Sequence, residues 1–472
     1  MPAYAPLLLI AIAAAGLGRV PLWRDEVASV VAASRHTSAL WGMVLHSSDA
    51  SVGLYYFLLA PVVRISQEPW ALRLPSLLGA VVTVAVTIDT ARRLCGRRAG
   101  FLAGVLLAGN GALLALAGTA RPYTLAMMAA TCATRLLLIT RPGRRRRAVG
   151  YGLWVLLGTY LHAMTTLLFL AHALALVLFR RFAPIRRSFA LALGAVAVAV
   201  VPLALLMRAQ SVQTAWLPLV RSAGQVGEVA EQLAGGTSLA ARAWAVAVVV
   251  GVALALVLRP REAPVGPLAV MVALPPVVLI AVGAVTPILS SRYLVFVLPP
   301  LAVLAGLGWA AVARRVLVPA AVAMSAVAVA VAVTVGWFRG ATFPDDPEAA
   351  AAYLAAHDAP GDAIVFSPVW ARTEMHYFLQ RRDDVVAADV ALRPDTVEAD
   401  VPSLYLPEAD AAEIGSALLG ARRIWVVGFP GNPWRPTPDT SAEVYAALHR
   451  PGTVVLDRWF GDLDVRLVEL DG

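Results

Sequence analysis

The sequence predicts a polytopic α-helical membrane protein that ends in a small α/β domain. Of its 472 residues, 59% are hydrophobic and only 15% are charged, and the mean hydropathy is +0.73. Soluble globular proteins carry about 25% charged residues. Apolar stretches of spanning length also recur along the chain as far as residue 337. Composition and patterning therefore exclude an ordinary soluble protein.

The apolar stretches predict about 11 transmembrane helices, since a spanning helix needs about 20 apolar residues. The predicted spans lie near residues 5–22, 72–92, 100–118, 124–140, 149–162, 163–179, 189–207, 241–258, 267–285, 293–311 and 316–337. The first of them has no basic leading region and no small-residue cleavage site. We therefore interpret it as a retained span and not as a signal peptide.

Arginine clusters predict the orientation of these spans. The formal net charge of +9 could suggest a nucleic-acid ligand, but the Arg residues lie in short clusters between apolar stretches, as in cytoplasmic loops. The clusters are residues 91–98, 141–147, 180–187, 259–262 and 313–315. All of them fall on one side of the predicted topology, so we expect a plasma-membrane protein with no nucleic-acid partner. The chain has no Lys and is rich in Ala and Val, which indicates a GC-rich genome such as that of an actinobacterium.

The same topology predicts a membrane domain over residues 1–337, with a first outer loop at 23–71. The apolar stretch 52–63 is too short to span, and we expect a horizontal or re-entrant helix there. Residues 338–472 are predicted to form an extracytoplasmic α/β domain. Its predicted strands lie at 363–366, 423–429, 453–460 and 465–470, with helices between them. We interpret it as a structural cap or an acceptor-docking surface.

Asp25 and Glu26 form a doubled carboxylate directly after the first span. Such a pair could be a solvated helix end. However, ionisable groups near a membrane usually occupy a protein cavity and mark a functional path. The other ionisable candidates on the predicted outer face are Arg73, Arg121, His162 and Arg292.

Each of these four candidates has a structural alternative. Arg73 and Arg292 could snorkel to the interface, Arg121 could cap a helix end, and His162 could be a buried, hydrogen-bonded histidine. Taken together with the carboxylates, they predict an outward cavity. Such a cavity suits an anionic headgroup, bound by guanidinium groups, and a hydroxyl that loses its proton to a carboxylate.

Seven short motifs occur in a fixed order along the chain. They are "WRDE", "LYYFLL", "RLPSLLGA", "GRRAGFLAGVLLA", "ARPYTL", "YLHA" and "SRYLVFVLPP". In this order, over residues 1–337, the sequence resembles the GT-C superfamily of integral membrane glycosyltransferases. The resemblance is to the branch of protein O-mannosyltransferases and aminoarabinose transferases. It implies a GT-C catalytic domain and a polyprenyl-phosphate sugar as donor on the outer face.

The resemblance also implies a role for each candidate. Asp25 would deprotonate the acceptor hydroxyl for attack on the anomeric carbon with inversion, and Glu26 would orient Asp25 or make it a stronger base. The phosphate that becomes the leaving group would be held by Arg121, His162 and Arg292. The remaining residues of the implied donor site are Tyr55, Tyr56 and Arg73.

One motif departs from the family. Members often have His-Pro-Pro before Leu-Tyr-Tyr, whereas this chain has Ser51, Val52 and Gly53 in those positions. The acceptor class therefore does not transfer, although Asp49 or His46 could compensate. The sequence indicates no definite cofactor; a divalent cation could bind the outer carboxylates, although no ligand spacing demands one.

The sequence therefore predicts an enzyme that moves one sugar, mannose in an actinobacterium, to an envelope glycolipid, glycan or protein. A transporter or lipid flippase is the alternative, and it predicts inverted repeats and ionisable residues near the bilayer midplane. A receptor anchored by its helices would leave the ordered motifs unexplained. Cys95 and Cys132 indicate neither a metal site nor a disulfide.

Overall fold

The structure is a computed structural model of the 472-residue chain. It describes residues 10–471 apart from 12–13, 15, 144, 212–216, 259–262, 313, 338–344, 368–369, 394–395, 408, 410 and 429–451. The chain divides into two compact units. The helical unit comprises Met1–Leu17, Asp49–Tyr55 and Arg73–Arg339. The mixed unit comprises Gly18–Ser48, Tyr56–Leu72 and Gly340–Gly472, so most of the predicted first outer loop groups with the C-terminal residues.

Helices make up most of the described chain. They are α1 (Arg24–Ser34), α2 (Thr37–Gly42), α3 (Gly53–Ile65), α4 (Pro69–Ala108), α5 (Gly111–Ala117), α6 (Tyr123–Ile139), α7 (Arg145–Leu161), α8 (Thr166–Leu178), α9 (Arg186–Ala199), α10 (Val201–Ala209), α11 (Ala223–Ala234), α12 (Leu239–Leu258), α13 (Val265–Gly283), α14 (Leu298–Ala310), α15 (Arg314–Trp337), α16 (Pro347–Ala355), α17 (Trp370–Leu379) and α18 (Ala411–Gly420). Shorter turns of helix lie at Met43–Ser47, Ala50–Val52, Ala163–Thr165, Arg180–Phe182, Ser291–Val297 and Glu398–Asp400.

Several helices are able to cross a membrane. Within the described residues, five are long and apolar enough: Pro69–Ala108, Leu239–Leu258, Val265–Gly283, Ser291–Ala310 and Val316–Val333. The pair α9 and α10 is bent by 40° and makes a sixth if it counts as one span. The predicted span 5–22 lies mostly outside the described residues, of which 10, 11 and 14 are helical. The chain therefore has the composition and helices of a multi-pass membrane protein.

Two breaks divide the helices around the predicted span 100–118. The first lies before this span, at Gly96 of α4, whose φ of +86° favours glycine, and α4 then continues to Ala108. A second break precedes α5, where the Asn110 side chain accepts a hydrogen bond from the Leu113 N–H at 2.8 Å and donates to the Leu233 carbonyl at 2.8 Å. This cap ends one helix and begins the next, which the apolar pattern alone did not predict.

Small residues allow two helices of the helical unit to approach closely. A Cβ atom at Gly308 of α14 would lie 1.9 Å from the Gly251 carbonyl oxygen of α12. Beside this contact, the Trp309 ring N–H donates to the Ala247 carbonyl at 2.8 Å. The crossing therefore has no room for a side chain at position 308, as in other small-residue helix contacts in membranes.

We expect Gly308→Ala to lower the stability of the helical unit, because α12 and α14 must separate to admit the new Cβ. The measurement is the melting temperature and the yield of monodisperse protein in detergent. The matched control is Gly194→Ala in α9, where nothing lies within 4 Å of the added Cβ. Equal melting temperatures for the two variants would contradict the described helix crossing.

The mixed unit contains a five-stranded sheet in the order β2-β1-β3-β5-β4. The strands are β1 (Ala363–Ser367), β2 (Ala388–Asp389), β3 (Arg423–Gly428), β4 (Gly452–Phe460) and β5 (Leu463–Leu470). Strand β1 is parallel to β2 and β3, whereas β5 is antiparallel to β3 and β4. Four strands occur in the segments where alternation predicts them. The two-residue strand β2 was not predicted, and residue 429 of the third predicted strand lies outside the described residues.

Helices α16 and α17 pack on one face of this sheet. Leu354 and Met375 from the two helices join Phe366 and Val465 from the strands in one buried cluster. Trp425 in β3 is fully buried in it, and its ring N–H donates to the Asp362 carboxylate at 2.9 Å. The sheet thus holds α17 in place, which matters for the site because α17 also packs against α1.

Candidate functional site

The predicted carboxylate pair lies in the first turn of α1, where negative charge is favoured by the helix dipole. Glu26 is fully buried, and its Oε2 accepts a hydrogen bond from the Trp23 N–H at 3.4 Å. Glu26 therefore helps to cap its own helix. Asp25 is half-buried, and its main-chain carbonyl accepts a hydrogen bond from the Ser29 hydroxyl at 2.9 Å. This hydrogen bond therefore involves the main chain of Asp25 and not its carboxylate.

Two carboxyl groups from the C-terminal residues lie close to the start of α1 within the mixed unit. The Arg24 Nε lies 3.5 Å from the Asp345 Oδ2. Glu374 of α17 is only 3% exposed and is within electrostatic reach of Asp345, Arg24 and Asp25. We call Arg24, Asp25, Asp345 and Glu374 the acidic cluster. Asp345 and Glu374 were not among the predicted site residues.

Burial is the main influence on the pKa values of Glu374 and Asp345. It raises the pKa of Glu374 well above its usual value, and the negative charges of Asp345 and Asp25 add to the rise while Arg24 opposes it. Burial also raises the pKa of Asp345, with Arg24 again opposing. The cluster therefore favours holding a proton at pH values where isolated carboxyl groups have lost theirs.

A buried arginine of the mixed unit binds the stretch of chain beside a cleft. Arg35 is 1% exposed and donates to the Val401 carbonyl at 2.8 Å and to the Leu404 carbonyl at 3.2 Å. Burial lowers the pKa of Arg35 to about 10. The stretch that it holds borders a cavity of about 720 Å³. Its polar lining residues are Arg393, Thr396, Asp400, Ser403 and Tyr405.

Arg121, His162 and Arg292 come together in the helical unit around two tyrosines. The His162 ring lies 5.2 Å from the Tyr123 ring and 5.4 Å from the Tyr293 ring. The Arg121 guanidinium lies 5.8 Å from the centre of the Tyr123 ring. Both Arg121 and Arg292 are within electrostatic reach of Tyr293. We call these five residues the cation–tyrosine cluster. Sequence reasoning missed the roles of both tyrosines, although they lie inside the motifs "ARPYTL" and "SRYLVFVLPP".

Hydrogen bonds between helices fix the position of Arg121. The Ser76 hydroxyl in α4 donates to the Arg121 carbonyl at 2.8 Å, and the Thr124 hydroxyl in α6 donates back to the Ser76 carbonyl at 2.7 Å. A Cβ atom at Gly79 would lie 2.8 Å from the Thr124 backbone, so α4 and α6 are in close contact here. The Arg121 backbone is therefore held where α4 and α6 are in close contact.

Asp49 also lies within electrostatic reach of Tyr293. It has a left-handed backbone, with φ of +60°, and is the only non-glycine residue with positive φ among those that the structure describes. Such a conformation is uncommon and often marks a functional position. This is one of the two residues that the sequence suggested as compensating for the missing His-Pro-Pro.

The remaining predicted site residues are buried. Tyr55 and Tyr56 are adjacent in α3 and fully buried, and Tyr56 is within electrostatic reach of Arg35. Arg73 is 2% exposed and donates to the Leu17 carbonyl at 2.5 Å, so it does not extend to solvent. It ties α4 to Leu17, which lies within the first predicted span. Within the described ranges, no group of three or more His, Cys, Asp or Glu side chains is arranged to hold a metal ion.

Two groups of polar residues thus stand out, one in each unit. The acidic cluster offers carboxyl groups that can accept a proton. The cation–tyrosine cluster offers two guanidinium groups, an imidazole and phenol hydroxyls, which suit an anion such as a phosphate.

Comparison with solved structures shows that the fold of this chain is similar to that of ArnT. ArnT from Cupriavidus metallidurans bound to undecaprenyl phosphate matches with a TM-score of 0.61 and 15% identity, over 98% of this chain and 96% of that one. The apo state of the same ArnT matches with a TM-score of 0.60 and 15% identity, over 98% and 97% of the two chains. No protein-family model matches this sequence, and no curated protein does either.

Proposed function

We propose that this chain is an inverting glycosyltransferase that moves one sugar, specifically mannose, from a polyprenyl-phosphate donor to a cell-envelope acceptor. The cation–tyrosine cluster, in a chain with a GT-C fold, is the observation that carries the proposal. The ArnT structure holds undecaprenyl phosphate, and we take the same class of lipid as the donor carrier here. A phosphate monoester leaving group needs cationic and hydrogen-bonding partners of this kind.

The chemistry assigns one role to each group. Asp25 takes the proton of the acceptor hydroxyl, whose oxygen bonds to the anomeric carbon from the face opposite the phosphate. The bond between that carbon and the phosphate oxygen breaks, and its electron pair leaves with the polyprenyl phosphate. Arg121, His162 and Arg292 stabilise the charge that grows on the leaving phosphate. In this scheme, the configuration at the anomeric carbon is inverted.

The proposal extends to topology. We propose about 11 spans, which adds shorter apolar helices such as Tyr123–Ile139 and Ala163–Leu178 to the longer ones. The Arg clusters favour the cytoplasm for the loops that carry them, so the catalytic residues and residues 338–472 are extracytoplasmic. In this scheme, Tyr55, Tyr56 and Arg73 line the donor site, and Glu26 supports Asp25. The acceptor is an envelope glycolipid, glycan or protein, and an actinobacterial source fits the composition.

A donor panel tests the proposal directly. Membranes containing the full chain are incubated with radiolabelled polyprenyl-phosphate mannose, the corresponding arabinose donor, or a nucleotide sugar, together with envelope extract. We expect label to move only from a polyprenyl-phosphate donor into envelope material that no longer partitions with the free donor lipid. Transbilayer movement of intact donor without sugar transfer would instead indicate a flippase, and use of the nucleotide sugar would overturn the donor class.

A further inference from the structure

The acidic cluster joins the start of α1 to two C-terminal carboxyl groups. Arg24 is the only cation among its four members, against the carboxyl groups of Asp25, Asp345 and Glu374. The Asp345 and Glu374 side chains come from two separate places, the residue before the cap of α16 and the middle of α17. Residues more than 300 positions apart in sequence therefore meet at the turn that carries the proposed base.

The electrostatics of this cluster need an explanation. Buried charges are costly unless they are paired or neutralised. Glu374 Oε2 is buried and has no hydrogen-bond partner among the residues that the structure describes. Among the described residues, the titratable groups within electrostatic reach of Glu374 or Asp345 are Arg24, Asp25 and Asp462. Of these five groups only Arg24 is a cation, so the electrostatic repulsion in the cluster is lowest when Glu374 holds a proton.

Without a second carboxylate near it, the Arg24 guanidinium would weaken Asp25 as a proton acceptor. A neighbouring guanidinium favours the charged form of a carboxylate and so weakens it as a proton acceptor. A general base works best when its proton affinity matches the working pH. Asp345 engages the Arg24 guanidinium at 3.5 Å and thereby opposes this effect.

We propose that Asp345 and Glu374 are positioning residues for Asp25: Asp345 engages the Arg24 guanidinium, and the buried Glu374 lies where α17 packs against α1. This assignment rests on the proposed function of Asp25. It gives the C-terminal residues a part in the transfer reaction, which the sequence alone left as a structural cap or docking surface.

The test is the pH dependence of sugar transfer by the full chain, measured with a polyprenyl-phosphate sugar for the wild type and Asp345→Asn. Loss of the Asp345 charge removes a negative neighbour of both Arg24 and Asp25. The acid limb of the rate profile should therefore move to lower pH, by about one unit, while the plateau rate falls several-fold. The matched control is Asp384→Asn, because Asp384 also pairs with an arginine, Arg382 at 2.7 Å, on an exposed part of the same unit. It should leave the profile unchanged.

A second variant tests the charge state of Glu374. Glu374→Gln keeps the size of the side chain and carries no charge, so α17 should still pack against α1. A carboxyl whose folded pKa is raised stabilises the fold fully below its unfolded pKa, and this contribution is lost as pH rises through the folded pKa. The melting temperature of Glu374→Gln should therefore exceed that of the wild type increasingly toward alkaline pH.

The outcomes distinguish the possible failures. An unshifted profile for Asp345→Asn, with the wild type active, overturns the inference and leaves the proposed function intact. A parallel loss of rate and melting temperature without a pH shift also overturns it, because that result describes a structural ion pair only. Absence of transfer by the folded wild type with every donor overturns the proposed function itself.

Discussion

Asp25→Asn is expected to abolish sugar transfer, with a fall in rate of about 10³-fold, while the protein stays folded. A general base contributes about 10²- to 10⁴-fold to such reactions, and Asn cannot accept the acceptor proton. The substitution keeps the size of the side chain. It also keeps the Ser29 hydrogen bond, which uses the main-chain carbonyl of residue 25. The measurement is initial transfer from a radiolabelled polyprenyl-phosphate sugar at saturating donor.

The control for this experiment must change a carboxylate without touching the acidic cluster. Asp384→Asn meets this condition, since Asp384 is exposed and pairs with Arg382. We expect it to retain wild-type turnover. Donor binding by Asp25→Asn should also persist, because the cation–tyrosine cluster is unchanged. Turnover near the wild-type rate by folded Asp25→Asn would show that another group is the base.

Local patterns predicted most helices and strands of this chain. Apolar run length and alternation are properties of short segments, so α6, α8, α12 and β5 lie close to their predicted positions. The interruption at Asn110 was not predicted, because it depends on a hydrogen bond to the Leu233 carbonyl 123 residues away. A side chain that meets its partner only in the folded protein leaves no periodic signal in the sequence.

The candidate site also contains some residues that the sequence predicted and others that it did not. Ordered motifs led to Arg121, His162 and Arg292, and the structure groups them around Tyr293. Tyr293 itself could have been suspected, because it follows Arg292 directly in a quoted motif. Asp345 and Glu374 could not, since neither carboxyl belongs to a sequence pattern that identifies its partner. Arg35 is similar, because two of its acceptors, the Val401 and Leu404 carbonyls, lie more than 360 residues further along the chain.

The fate of Glu26 illustrates the limit of motif transfer. The resemblance implies that Glu26 supports Asp25 chemically, whereas the structure shows it fully buried and bonded to the Trp23 N–H. A buried carboxylate at the first turn of a helix stabilises that turn. Support of Asp25 through the helix start is compatible with this geometry.

Arg121→Gln is expected to lower kcat/KM for the lipid-linked donor by about 10²- to 10³-fold, which is the usual cost of losing one charged ligand of a developing oxyanion. Gln keeps a polar side chain but loses the charge and the paired N–H groups that bind phosphate oxygens. Arg121→Lys should recover only part of the loss, because an ammonium group keeps the charge without the planar fork. Binding of undecaprenyl phosphate should weaken in the same order.

Arg292→Gln should behave similarly, and the double variant should lose less than the sum of the two single losses, because both charges act on one phosphate. The matched control is Arg187→Gln, an exposed arginine of a predicted cytoplasmic cluster, which should retain the wild-type kcat/KM. If Arg187→Gln keeps the wild-type kcat/KM, the lower kcat/KM of Arg121→Gln is due to the position of Arg121 and not to the loss of any one positive charge. If Arg121→Gln and Arg187→Gln bind undecaprenyl phosphate equally well and transfer equally fast, the donor phosphate is not held by the cation–tyrosine cluster.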